Sequence, residues 1–276
     1  MTAGIALNIE IRRFGRDGRE MVGVLQRARD GAPRRPSFLL CRPFGQEATR
    51  TASMFRVLSD RLAREGCDVL TFDYHGTGDS PGDEIDQSLL AWVDDVQAAH
   101  EELCTPRGIP LHWFAMGLGA TIAARAAARV TRPPASVVLW EPVLNGPSYL
   151  QALFAAHRDE LAREFHYPWT RLLRQGRVEE PKVPGDVLGS MIGAALTADL
   201  NGLTTLALAP ALRRGIRIVC GVHQEQRKNF EGLTDGSGGL FCLQTVQTRT
   251  NWLSSQAMGT AMVPPEVPRT LIATFA

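Results

Sequence analysis

The chain has 276 residues, a formal net charge of +1, 44% hydrophobic and 21% charged residues. That balance belongs to a folded globular protein with room for one large α/β domain or two small ones. A charge so near zero provides no field for nucleic acid or an anionic membrane, so neither is expected as a partner.

Lys182 and Lys228 are the only lysines, and nearly every cation is arginine. The five cysteines, Cys41, Cys67, Cys104, Cys220 and Cys242, are odd in number and lack metal-ligand spacing. Cys41, Cys67 and Cys220 lie in or beside apolar runs, which predicts reduced, mostly buried thiols. No metal and no cofactor is expected. The first residues, MTAGIALNIEIRRF, have neither the basic start nor the apolar stretch of a signal peptide. No apolar run reaches the roughly 18 residues of a membrane helix. The expected location is cytoplasmic.

Ile5 to Ile11 alternates partly, and Val22 to Gln26 follows a turn region at Gly15 and Gly18, which suits an antiparallel start. Ser37 to Cys41 (SFLLC) is apolar without a polar face, as in a strand covered on both sides. Ala48 to Glu65 places Met54, Phe55, Leu58 and Leu62 at helical spacing, with Gly66 positioned to end the helix. Asp68 to Tyr74 is another buried strand, followed by the turn-rich HGTGDSPGD. Ser88 opens a helix with Leu89, Leu90, Trp92, Val93 and Val96 on one side. Leu111 to Met116 reads as a strand, Leu118 to Arg129 as an alanine-rich helix, and Ser136 to Trp140 as a strand. Such short alternation predicts a parallel sheet with helices on both faces.

The alternation stops at Glu141. Ser148 to Leu173 and Pro184 to Leu208 read as helices without intervening strands, long enough for a cap over the sheet edge. Ile216 to Cys220 resumes the sheet, and Leu240 to Gln247 is the last predicted strand. Residues 230–239 read as a loop and Pro264 to Phe275 as a closing helix, with Val267, Leu271 and Ile272 inward. With no repeat and no linker, residues 1–276 read as one domain carrying residues 148–208 as a helical cap.

Four stretches carry a family resemblance: RPFGQE (42–47), FDYHGTGDS (72–80), FAMGLGA (114–120) and LWEPVLNG (139–146). In order and setting they resemble the α/β-hydrolase superfamily, in its serine-aminopeptidase-like branch. They are also similar to the exosortase A system-associated hydrolase 2 family. The likeness covers most of residues 20–210 and is weak after 225. It implies an α/β-hydrolase fold with an inserted helical cap, and a nucleophile elbow at FAMGLGA.

The elbow pattern G-x-S-x-G puts a serine at the strained apex of a strand-to-helix turn, with small residues two before and two after. Ala115 and Gly119 supply the small flanks, and Gly117 occupies the apex. Glycine tolerates that backbone but has no oxygen for attack. The acid position, after the strand at Ile216 to Cys220, falls at Gln224, with Glu225 beside it as a candidate or as a plain solvated charge. The base position falls near Asn251, and an amide does not shuttle protons at neutral pH. His223 and His75 are the remaining imidazole candidates, each also readable as a loop histidine bonded to backbone.

Phe44, Gly45, Met116, Gly117 and Leu118 are the predicted ligand-pocket residues. The Leu118 amide opens the following helix, where it can face an anion or carbonyl oxygen. Arg42 and Arg50 flank the loop, either to grip a carboxylate or phosphate, or with Arg50 pairing Asp73 or Asp79 to pin the loops. Asp79 and Ser80 are expected to close their turn on its own backbone amides. The aromatic and basic stretch 166–177 reads as a helix with a solvated arginine face.

Three functions stay open. The first is a module that binds a small-molecule, acyl or peptide ligand, or a partner, without serine chemistry, a pseudoenzyme linked through the resemblance to exosortase and exopolysaccharide systems. The second is a hydrolase of esters, thioesters or peptides working from a non-standard site, with water activated by His223 or His75. The third is a transferase using the glycine turn at 76–82, weakened because LHWFAM ends without the acid that would hold a ribose. Oligomeric state is not encoded in any of these patterns.

Overall fold

A computed structural model describes residues 8–16, 18–28, 36–104, 108–248, 250–254 and 263–275. Its first hairpin joins β1 (Ile9–Arg16) to β2 (Arg19–Gln26). The wound part runs β3 (Ser37–Cys41), α1 (Gly45–Arg64), β4 (Val69–Asp73), α2 (Leu89–Leu103), β5 (Leu111–Met116), α3 (Gly117–Ala127) and β6 (Ser136–Trp140). After the segment between 141 and 216 come β9 (Arg217–Val222), α8 (Glu231–Gly236), β10 (Phe241–Thr245) and α9 (Glu266–Phe275). Among the described residues the eight strands lie in the order β1-β2-β4-β3-β5-β6-β9-β10. β1 and β2 are antiparallel and all pairs from β4 through β10 are parallel. This is the α/β-hydrolase fold: a mostly parallel sheet flanked by helices.

Strand pleating explains the two cores. Leu39, Cys41, Trp113, Ala115, Val137 and Leu139 face one side, where α2 and α3 pack. Their neighbours Phe38, Leu40, Phe114, Met116, Val138 and Trp140 face the other, against α1 and α9. β3, β5 and β6 are buried along their whole length, so their sequences show no alternation. Ser88 caps α2 by accepting from the Ala91 amide at 3.1 Å.

The segment between β6 and β9 departs from the sequence reading. It begins as two helices, α4 (Gly146–Glu164) and α5 (Trp169–Arg174). A small hairpin follows, β7 (Gly185–Val187) with β8 (Ser190–Ile192), and then α6 (Ala194–Gly202) and α7 (Ala209–Leu212). The hairpin was missed because its strands have three residues each, too short for a period to register. Its two-residue turn, Leu188-Gly189, has φ of 58° and 75°, the backbone that two-residue hairpin turns require. Residues 230–239 are also not simply a loop: 231–236 form α8, anchored by buried Phe230 stacked on Phe241.

None of the five cysteines is in a disulfide, and Cys41, Cys67 and Cys220 are buried as expected. Among the described residues no helix is long and apolar enough to cross a membrane, and no cluster of His, Cys, Asp and Glu can hold a metal.

Candidate functional site around the β5–α3 turn

Open α/β sheets bind ligands at the carboxyl ends of their strands, near the point where the winding direction switches. Here that point is the end of β5. Gly117 follows Met116 directly with φ +57°, the left-handed region, and α3 starts at once. The approach behind it is close: a Cβ on Gly119 would lie 2.0 Å from the Arg42 carbonyl oxygen. The sharp strand-to-helix turn is therefore present, built on a glycine apex. The first turn of α3 has no side-chain cap, since Met116 occupies the N-cap. Its leading amides lack intrahelical acceptors.

A cavity of about 390 Å³ opens over Gly117, lined by Glu47, Glu141, Tyr149, Asn145, Gln226 and Leu253 among others. Glu47 sits in the first turn of α1. Its carboxylate oxygens lie 3.7 and 3.9 Å from the point where a Cβ on Gly117 would be, and Pro43 Cβ lies 3.1 Å from it. Tyr149 on α4 donates its hydroxyl to Glu47 Oε2 at 2.7 Å. Burial pushes the Glu47 carboxyl up to about 7, against the opposing pull of the Tyr149 bond and the Arg50 charge.

Glu141 follows β6 in a left-handed backbone, φ 47°, with its amide bonded to the Gly221 carbonyl. Its carboxyl oxygen lies 3.3 Å from His223 Nε2, and its side chain is 17% exposed. Burial, then the charges of Glu47 and Glu266, push it up to about 8. His223 Nδ1 is buried without a hydrogen-bond partner among the described residues.

Three elements that border the cavity share one fastening. Arg50 on α1, its side chain 3% exposed, donates to the Trp252 carbonyl at 3.2 Å and lies 3.6 Å from Glu160 on α4. The expected Arg50 pairing with Asp73 or Asp79 is thus corrected: Arg42 takes Asp73, at 2.7 Å. The turn after β4 is likewise closed differently. The Asp73 carboxylate accepts from the Asp79 amide. Ser80 donates to the Asp73 carbonyl and accepts from the Val22 amide.

Of the residues singled out from sequence, Gly117 and His223 lie at this cavity or on one of its carboxyls. Phe44 and Gly45 line a neighbouring cavity of about 310 Å³ instead, together with Arg42, Tyr74, Thr77 and Glu84. Met116 points into the α1–α9 core and Leu118 into the α2–α3 core, both fully enclosed. Gln224 and Glu225 are exposed in the turn after β9 and line neither cavity. Asn251 is exposed and its side chain accepts from the Leu253 amide at 3.0 Å, capping its own turn. His75 is tied to the Glu20 carbonyl and lines neither cavity.

Glu47 and Glu141 were missed. Each lies inside a quoted motif, RPFGQE and LWEPVLNG, where family expectation drew attention to backbone. A carboxylate directly after an all-apolar strand, as in SVVLWE, was the available signal.

A family model described as serine aminopeptidase, S33, matches residues 47–186. That is just over half the chain. The chain belongs to this serine aminopeptidase family. An uncharacterized protein of Mycobacterium tuberculosis is 34% identical to it over 142 residues, 50% of this chain and 43% of the relative. The match thus spans less than half the length of that relative. Among solved structures, a hypothetical protein from Pseudomonas aeruginosa superimposes with a TM-score of 0.62 at 15% identity, covering 100% of this chain and 96% of the other. A Pyrococcus furiosus esterase gives a TM-score of 0.59 at 13% identity, over 98% and 91%. At these identities the structural neighbours of this serine aminopeptidase family member speak to fold alone.

Proposed function

We propose that this family member does not form an acyl-enzyme and instead holds a small acyl or peptide ligand in the cavity over Gly117, with residues 148–208 acting as its cap. The observation that carries this reading is the apex itself. Gly117 offers only hydrogen where the family's attacking oxygen sits, and the nearest side-chain atoms there are Pro43 Cβ and the Glu47 carboxylate. No histidine lines the cavity among the described residues. The histidine closest in function, His223, is engaged with Glu141. A triad acts as a unit, so loss of the nucleophile removes most of its rate. Service in the cytoplasm beside an exosortase or exopolysaccharide system is part of the same proposal, on the likeness of the four motifs.

The test is labelling by a fluorophosphonate probe, with intact-mass detection. The unaltered chain and Gly117→Ser are both expected to stay unlabelled, because the restored hydroxyl would face a carboxyl and no imidazole. Stoichiometric labelling of the unaltered chain would sink the proposal. A second reading, hydrolysis from a non-standard site, is favoured by the two carboxyls that share the cavity.

A further inference from the structure

We infer that Glu47 and Glu141 form a general base and general acid for direct attack of water on an activated acyl bond, a thioester, bound over Gly117. This rests on the reading that the cavity over Gly117 takes an acyl ligand without forming an acyl-enzyme.

The geometry assigns the parts. With no side chain on Gly117, a water molecule standing where the family's hydroxyl would be comes within hydrogen-bond reach of the Glu47 carboxylate, which lies 3.7 Å from the Cβ position. Gly117, the first residue of α3, lines the same cavity, and the positive end of a helix favours an oxyanion. Glu141 lines the same cavity with His223 behind it. Val143, Leu144 and Leu253 supply an apolar wall for a short acyl chain.

Each step balances. Glu47 takes a proton from water as the water oxygen bonds the acyl carbon. The carbonyl π pair moves to its oxygen, near the N-terminus of α3. Collapse of that intermediate breaks the C–S bond, and the leaving sulfur takes the proton of Glu141. The products are a carboxylic acid and a thiol, and exchange with solvent returns the proton from Glu47 to Glu141.

The surroundings of the two carboxyls fit these roles. Burial raises Glu47 to about 7, opposed by Tyr149 and by Arg50, whose charge is balanced by Glu160. Glu141, facing Glu47, Glu266 and His223, is raised further, to about 8. Two buried carboxyls on one cavity repel as anions, which favours the state with one ionised and one protonated. General acid–base catalysis contributes on the order of 10²- to 10⁴-fold. A thioester, whose thiolate leaves more readily than an alkoxide or an amine, is the acyl class that suits a site with no covalent nucleophile.

The experiment follows thiol release from N-acetylcysteamine thioesters with two- to eight-carbon acyl chains, between pH 5.5 and 9.5, using the full chain. The expected result is saturable turnover without a burst, a bell-shaped profile of kcat/KM with limbs near 7 and 8, and no acyl adduct by mass. Glu47→Gln should lower kcat about 100-fold or more with KM little changed, and Glu141→Gln should remove the alkaline limb. Circular dichroism of both variants establishes that they fold. If both are misfolded, Tyr149→Phe must shift the acidic limb upward, and an unmoved limb overturns the assignment. Absence of turnover above the buffer rate across the series overturns this inference alone. A burst with a covalent adduct overturns it together with the proposed function.

Discussion

Glu141→Gln isolates the cost of holding a carboxyl at the cavity. The substitution keeps size and an acceptor for His223 but removes the charge. In the unfolded chain Glu141 ionises near 4.5, and in the folded protein it is pushed up to about 8. A raised carboxyl means that the folded state binds the proton more tightly. The wild type therefore loses stability relative to the variant as pH rises from about 4.5 to about 8, and the difference is constant above that. At about 1.36 kcal/mol per pH unit the ceiling is about 5 kcal/mol. Relaxation around the charge and the share owed to Glu47 reduce it, so about 2–5 kcal/mol is expected. For a chain of this length each kcal/mol moves Tm by about 2–4 °C. Thermal unfolding should then show near-equal Tm values at pH 4.5, and a variant about 5–15 °C more stable at pH 9. A difference that is the same at both pH values, or a variant less stable at pH 9, would refute the burial argument.

Gly119→Ala puts a Cβ 2.0 Å from the Arg42 carbonyl oxygen. It should cost about 3 kcal/mol or more through forced backbone shifts, read by urea denaturation. Ser80→Ala removes the acceptor of the Val22 amide and a donor to the Asp73 carbonyl. The expected loss is about 1–3 kcal/mol in the same assay. Tyr149→Phe removes a bond that favours the ionised form of Glu47. The Glu47 carboxyl carbon, followed by NMR against pH, should titrate higher than in the wild type.

The central fold was legible because burial imposes simple patterns. SFLLC, LHWFAM and SVVLW coincide with β3, β5 and β6, as runs enclosed on both faces show no alternating polar face. The elbow was legible because Gly117 takes a left-handed backbone and Gly119 faces the Arg42 carbonyl too closely for a side chain. The β7–β8 hairpin was not, since three-residue strands have no period. The site was legible only in part. His223 could be placed near the acid loop, but its partner Glu141 is 82 positions upstream and meets it through the β6–β9 pairing. Sequence likewise placed Arg50 near the right loop while giving no hint that it would reach across to α4. The Glu47–Tyr149 contact joins residues 102 apart, one on α1 and one on α4, which no local spacing encodes.

The Arg50 guanidinium has a mechanical consequence. One enclosed cation grips a floor helix, a roof helix and the backbone next to Leu253 at the rim. Any displacement of α4 at this contact would therefore also pull on the helix that carries Glu47 and on the backbone next to Leu253.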